Sequence, residues 1–252
     1  MKRIAYDLHL HSCLSPCGSP DMTPNSIAGM ASLNGVKVAA LTDHNTTRNC
    51  PAFFRACERY GVVPMAGMEL TTIEDIHMIC LFPSLEAAVE FEAIVAPRRM
   101  KIKNRPHIFG EQTIVNEFDE IIGIEETLLV PATGLDLTEG AAAARELGGV
   151  AFPAHIDRPA NSLLSILGAI PEEPGFTALE VWNHDRIPEL AARHPAVGKL
   201  RLLRNSDAHE LTEMSLDPAT IDVPDEALDG NNADAADLLR RNIISQLLGE
   251  GI

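Results

Sequence analysis

Aromatic side chains are scarce in this sequence, at 4% of 252 residues, so aliphatic side chains must fill whatever core it builds. No stretch approaches the roughly 20 consecutive apolar residues of a membrane helix. The start, Met1-Lys2-Arg3-Ile4-Ala5-Tyr6-Asp7, lacks the apolar segment of a secretory signal. Cysteines are few and odd in number: Cys13, Cys17, Cys50, Cys57 and Cys80. Together these absences predict a cytoplasmic protein in a reducing compartment. There is no GxSxG elbow for a serine nucleophile, and no GxxxxGK[ST] or GxGxxG loop to cradle a nucleotide. Internal repeats and low-complexity tracts are missing too. Positive charge is in short supply, with 20 Lys and Arg against 36 Asp and Glu and a formal net charge of −16. That balance repels nucleic-acid phosphates, so stable nucleic-acid binding is not expected.

What is present is an alternation of short apolar runs and amphipathic segments. Ile4–Tyr6, Val36–Leu41, Val62–Met68, Met78–Phe82, Val150–Phe152, Ala178–Val181 and Leu200–Leu203 read as strands, about seven in all. Helical segments fall between them at Ile27–Leu33, Pro51–Tyr60, Leu85–Val95 and Thr138–Leu147. Thr23-Pro24 caps the first, and Gly61 stops the second. Strands alternating with helices predict parallel βαβ units, and near-continuous apolar strands predict a sheet covered on both faces. At this length a single domain spanning residues 1–252 is expected. Residues 96–135 break the alternation. Pro97, Pro106 and Gly110 interrupt it, and Arg98, Arg99, Lys101, Lys103 and Arg105 cluster there, as in a lid or insertion that attracts an anion. The segment 222–252 reads as an acidic loop closed by a helix at Leu238–Leu248.

Polar residues collect just after the apolar runs. His9 and His11 follow the first and share one face of an extended backbone, because strand side chains alternate with period two. His44 follows the second, Glu69 the third, His155 the fifth, and Asp207 and His209 the last. His77 precedes its run, so it must reach the others from a bend or an oppositely directed strand. Imidazoles and carboxylates gathered at one mouth would leave like charges and unpaired polar groups unless cations joined them. Zinc, manganese or iron suits such donors.

The motifs Asp7-Leu8-His9-Leu10-His11-Ser12, Leu41-Thr42-Asp43-His44-Asn45, Gly67-Met68-Glu69-Leu70, Pro153-Ala154-His155 and Asn205-Ser206-Asp207-Ala208-His209 resemble, in order and spacing, those of the PHP (polymerase and histidinol phosphatase) family. The resemblance runs over about residues 3–210. It implies an α/β fold, a distorted seven-stranded (β/α) TIM-like barrel, with two or three divalent ions at its C-terminal mouth. It also implies that His9, His11, Glu69 and Asp207 hold one ion, and that Glu69, His77 and His209 hold a second. His44 and His155 would hold a third with Cys17, which stands where the family more often has His or Asp. A thiolate there favours zinc or iron over magnesium or manganese.

The expected activity is hydrolysis of a phosphoester in a small phosphorylated substrate, a nucleotide or phosphomonoester, by hydroxide generated between two cations. Asp207 is the expected proton carrier and Arg158 the fork for a phosphate oxygen. Asn45, Asn183 and His184 are expected to read the substrate. Asp7 and Asp43 are expected to orient the imidazoles. Two alternatives stand beside this one. The same hydroxide could attack a carbonyl, as in an amidohydrolase-like C–N hydrolase, or the chain could be a non-catalytic metal-binding regulatory domain. Arg158 and the basic segment favour phosphate over a carbonyl.

Overall fold

The computed structural model describes residues 1–228 and 233–250. The first half runs β1 (Lys2–Leu10), α1 (Pro24–Leu33), β2 (Val36–Leu41), α2 (Cys50–Tyr60), β3 (Val63–Thr71), β4 (His77–Phe82) and α3 (Leu85–Val95). A short α4 (Pro106–Phe109) and the hairpin strands β5 (Thr113–Val115) and β6 (Ile121–Ile124) follow. The second half runs α5 (Leu137–Glu146), β7 (Val150–Pro153), α6 (Leu163–Ile166), β8 (Ala178–Glu180), α7 (Ile187–Arg193), β9 (Arg201–Leu203), β10 (Ala219–Val223) and α8 (Ala233–Leu247).

Local chemistry sets these limits. The Thr23 hydroxyl accepts from Ser26 N and starts α1 with Pro24 in its first turn. Gly61 ends α2 in the left-handed region at φ 69°. Asp136 and Glu139 form a reciprocal capping box on α5. The last helix spans Ala233–Leu247 among the described residues, against an expected Leu238–Leu248, and buries Ala235 and Leu239.

The regular sheet has six strands in the order β10-β1-β2-β3-β4-β7. β1, β2 and β3 are parallel, whereas β4 runs against both β3 and β7, and β10 runs against β1. The expected parallel βαβ pairing holds for β1, β2 and β3, and the sheet as a whole is mixed, six-stranded and curled. β8 and β9 pair in parallel as a separate ladder. They are only three residues long and join the sheet through single bonds: Ile156 N to Glu180 O at 2.9 Å, Asp207 N to His9 O at 3.0 Å and His11 N to Ala208 O at 3.2 Å.

Both faces of the sheet are buried, which is why its strands read as continuous apolar runs. An outer cluster packs Leu41, Met68 and Phe82 against the helices through Phe53, Phe91 and Ala141. An inner cluster of Tyr6, Leu8, Val38, Met65, Leu81 and Phe152 is filled from one end by Leu239, Ile243 and Leu247 of α8. Thr177 Oγ1 donates to Leu247 O, so α8 lies at the start of β8 and leaves the strand ends to the site.

Candidate metal centre

Six strands deliver the site: β1, β2, β3, β4, β7 and β9. On β1, Leu8 belongs to the inner cluster and Leu10 to the outer one, although they lie two residues apart. The alternation therefore slips between them, where the register with β2 shifts, and such an irregularity re-aims neighbouring side chains. His9 and His11 emerge fully buried at the mouth. The reversal of β4 resolves the position of His77: it pairs with Thr71, so the start of β4 lies beside the end of β3. His155 and Asp207 follow β7 and β9 with φ of 29° and 51°. Left-handed backbone is uncommon for side-chain-bearing residues and must be held by its surroundings.

The Glu69 carboxylate is the hub. Its Oε1 lies 2.9 Å from His77 Nδ1, 3.2 Å from His155 Nε2 and 3.4 Å from His9 Nε2. Its Oε2 lies 3.0 Å from His44 Nδ1 and 3.2 Å from His11 Nε2. Asp207 Oδ1 approaches His9 Nε2 and His11 Nε2 at 3.1 and 3.2 Å, and the two imidazole nitrogens face each other at 3.1 Å. Bonds of about 2.0–2.1 Å around a tetrahedral ion put its donors about 3.3 Å apart, close to these separations.

Among the described residues, three close donor groups result: His9, His11, Glu69 and Asp207; His44, Glu69 and His77; and His11, His44 and His209. The first is the set expected for one ion. In the second, His44 stands beside Glu69 and His77 in place of His209. The expected trio of His44, His155 and Cys17 is not gathered. His155 reaches the cluster through Glu69, and Cys17 is exposed and joins none of these groups.

The charges of the cluster call for cations. Burial alone would raise Glu69, but His77, His9 and His44 together hold its carboxyl well below the ordinary range. Asp207 is likewise lowered, burial being outweighed by His9 and His11. Burial would lower His9, yet Asp207, Glu180 and Glu69 raise it well above normal, and His11 is raised to about 9 against its own burial by Asp207 and Glu69. Both Asp207 carboxylate oxygens, with Nδ1 of His44 and of His155, are buried without a hydrogen bond. Asp207 Oδ1 and His44 Nδ1 nevertheless lie 3.0–3.2 Å from other donors of the cluster, as ligands around a shared centre do. Divalent ions would satisfy both the orphaned atoms and the charge.

The supporting shell differs from expectation. Neither Asp7 nor Asp43 touches an imidazole ring. Asp7 accepts from Ser206 N and His9 N, and burial raises it to about 6. Asp43 accepts from Ser12 N, Ser12 Oγ and Ser15 Oγ, and Ser15 Oγ then meets His11 Nδ1 at 3.0 Å. The carboxylate that holds a ring is Glu180, which sequence reasoning missed. It faces His9 Nδ1 with both oxygens at 3.1 Å and also accepts from His155 N and Asn205 Nδ2. It ends β8 in the structure, but in sequence it lies inside the apolar run Ala178–Val181.

Arg158 lies where a phosphate fork is needed, with Nη1 2.7 Å from Asp207 Oδ2. Its guanidinium sits over the Trp182 ring, 5.6 Å from the centroid. The three expected substrate readers have other work. Asn45 is buried, donating to Leu129 O and Pro131 O and accepting from Thr71 N, which ties β3 to the loop across it. Asn183 caps the turn at Asp185 N, and a His184 ring nitrogen lies 3.3 Å from Leu203 O. In the basic segment, Arg99 is committed to Glu92 and Glu125, while Lys101, Lys103 and Arg105 are exposed. Gly110 packs against Pro16 O, where an added Cβ would collide with backbone, so the segment presses on the loop carrying Cys17.

No curated protein matches this chain. Among solved structures, the fold is similar to that of the lesion-specific endonuclease PfuEndoQ from Pyrococcus furiosus, with 20% identity and a TM-score of 0.68 over 99% of this chain and 57% of that one. An Endonuclease Q in complex with a 27-mer duplex bearing an abasic lesion gives 23% identity and a TM-score of 0.58 over 83% of this chain and 50% of that one. The chain therefore spans about half the length of these two. A Bifidobacterium adolescentis protein described as a proposed metal-dependent phosphoesterase gives 20% and 0.56, covering 82% of this chain and 88% of that one. Residues 7–130 match the PHP domain family, a span that holds the motifs around His9, His44 and Glu69 and stops short of His155 and Asp207. Over that span the chain carries a PHP domain.

Proposed function

We propose that the chain is a metal-dependent phosphoesterase acting on a small phosphorylated substrate. The observation that carries this reading is Arg158. It places a cation on the outer oxygen of Asp207, whose inner oxygen faces His9 and His11. A guanidinium beside the donor cluster suits a tetrahedral dianion and has no evident use for a neutral amide. That favours phosphoester over C–N hydrolysis.

His9, His11, Glu69 and Asp207 would hold one divalent ion and Glu69, His44 and His77 a second, with Glu69 shared. Such ions supply an activated water and neutralise charge on phosphorus-bound oxygens. Glu180 holds the His9 ring with Nε2 toward the cluster, and Ser15 does the same for His11. Arg158 would exchange Asp207 for a substrate oxygen, freeing Asp207 Oδ2 to take a proton from the attacking water. The net charge of −16 argues for a small substrate over a long polyanion, although similar folds include an endonuclease. The curled sheet with its β8–β9 ladder supports a distorted barrel, and segment 96–135 a lid along its mouth.

The test is to purify the protein, quantify its bound metals and assay phosphomonoesters, phosphodiesters and amides with and without chelator. Chelator-sensitive turnover of a phosphoester is expected. Turnover of amides alone, or of nothing, would overturn the reading.

A further inference from the structure

Trp182 is the only tryptophan in the chain, and it is 57% exposed at the mouth. An indole of that size is normally covered, and left open beside reactive groups it marks a contact surface. Its backbone is fixed: Trp182 N and Asn183 N donate to the two oxygens of the buried Asp157 carboxylate at 2.7 and 3.1 Å. The loop after β7 thus does three things within four residues. His155 faces Glu69, Asp157 anchors the tryptophan, and Arg158 bridges its ring to Asp207. Arg158 occupies one side of the indole. The exposed remainder is a flat apolar surface one guanidinium away from the proposed phosphate position.

We propose that Trp182 is a stacking platform for a planar ring attached to the phosphate, so that the preferred substrate is a nucleoside monophosphate and not a plain sugar phosphate. This rests on the phosphoesterase reading and adds a specificity element to it. Stacking on an aromatic side chain suits any nucleobase, since each has a π face. Arg158 then has two neighbours in the complex, the phosphate and the indole, and its own grip on Asp207 does not depend on the ring. Asn183 and His184, expected to read the substrate, lie just past the residue assigned here and are spent on local structure.

Because there is one tryptophan, intrinsic fluorescence reports on this position alone. The purified metal-bearing protein is titrated with adenosine 5′-monophosphate, ribose 5-phosphate and inorganic phosphate, with excitation beyond the adenine absorption. Saturable quenching by the nucleotide and little by the other two is expected. Equal responses to nucleotide and ribose 5-phosphate, or none to either, would overturn the proposal. In steady state, Trp182→Ala should raise KM for the nucleotide about tenfold and leave ribose 5-phosphate unchanged, with Trp182→Phe restoring most of the loss. A parallel change for both substrates would show that the indole only supports Arg158, and would overturn the proposal. If the wild type hydrolyses neither ester while the nucleotide still quenches, the phosphoesterase reading fails and the stacking site stands.

Discussion

His9 and His11 at the foot of the cluster are fully buried, whereas the side chains of His77 and His209 toward its rim are 14% and 23% exposed. The same residue type behaves differently in the two places. In the inner half, Glu69, Asp207 and Glu180 outweigh burial, so His9 and His11 are driven toward the charged form. In the outer half, burial followed by neighbouring imidazoles lowers His44 well below normal and His209 to about 4. The inner half therefore demands positive charge, and the outer half offers neutral donors. Carboxylate density, more than histidine count, decides where a cation is held tightly.

Removing the shared carboxylate erases the contrast, so Glu69→Ala should have the largest effect. Turnover is expected to fall about a thousandfold or more, and the metal content of both halves to drop together. Elemental analysis of the purified variant checks this, and loss of one ion with the other retained would break Glu69's place as the hub. Glu180→Gln acts on the inner half alone. It keeps shape and burial but weakens the brace on His9, and should cost about 10- to 100-fold in metal affinity. Its readout is the chelator concentration that strips half the metal.

The strand-end donors were legible in sequence because each closes an apolar run, and the first, second and third helices appeared within a few residues of their limits for the same periodic reasons. The direction of β4 was legible only as a conflict over His77. Three features were hidden. Glu180 sits inside an apolar run and gains its role from a ring 171 residues away in sequence. Asp43 works through Ser15, a partner that no spacing rule names. Asn45 looks like a substrate reader, but its backbone at φ 53° turns the amide to the loop at Leu129–Pro131. Local pattern reports which residues end strands; it does not report which of them the curled sheet will pair.

Smaller effects sharpen the same comparison. In metal-stripped protein, His11 has a folded pKa near 9 against 6.5 for the free side chain. Its contribution to stability is complete below pH 6.5 and is lost as pH rises through 9, and His9 shifts in the same direction. Tm of the stripped protein should drop by roughly 5 °C across that window, while that of the metal-loaded protein changes less. A flat profile after stripping would contradict the charge preference of the inner half. The smallest effect is expected at Cys17. It is exposed and joins no close donor group. Cys17→Ser should leave metal stoichiometry unchanged.

The most direct test is a calorimetric titration of stripped protein with manganese or zinc, repeated on Glu180→Gln and His77→Ala. The unequal halves predict two classes of site in the wild type, with Glu180→Gln weakening the tighter class and His77→Ala the looser. A single class, or two variants that weaken both classes alike, would contradict the division of the cluster into an inner and an outer centre.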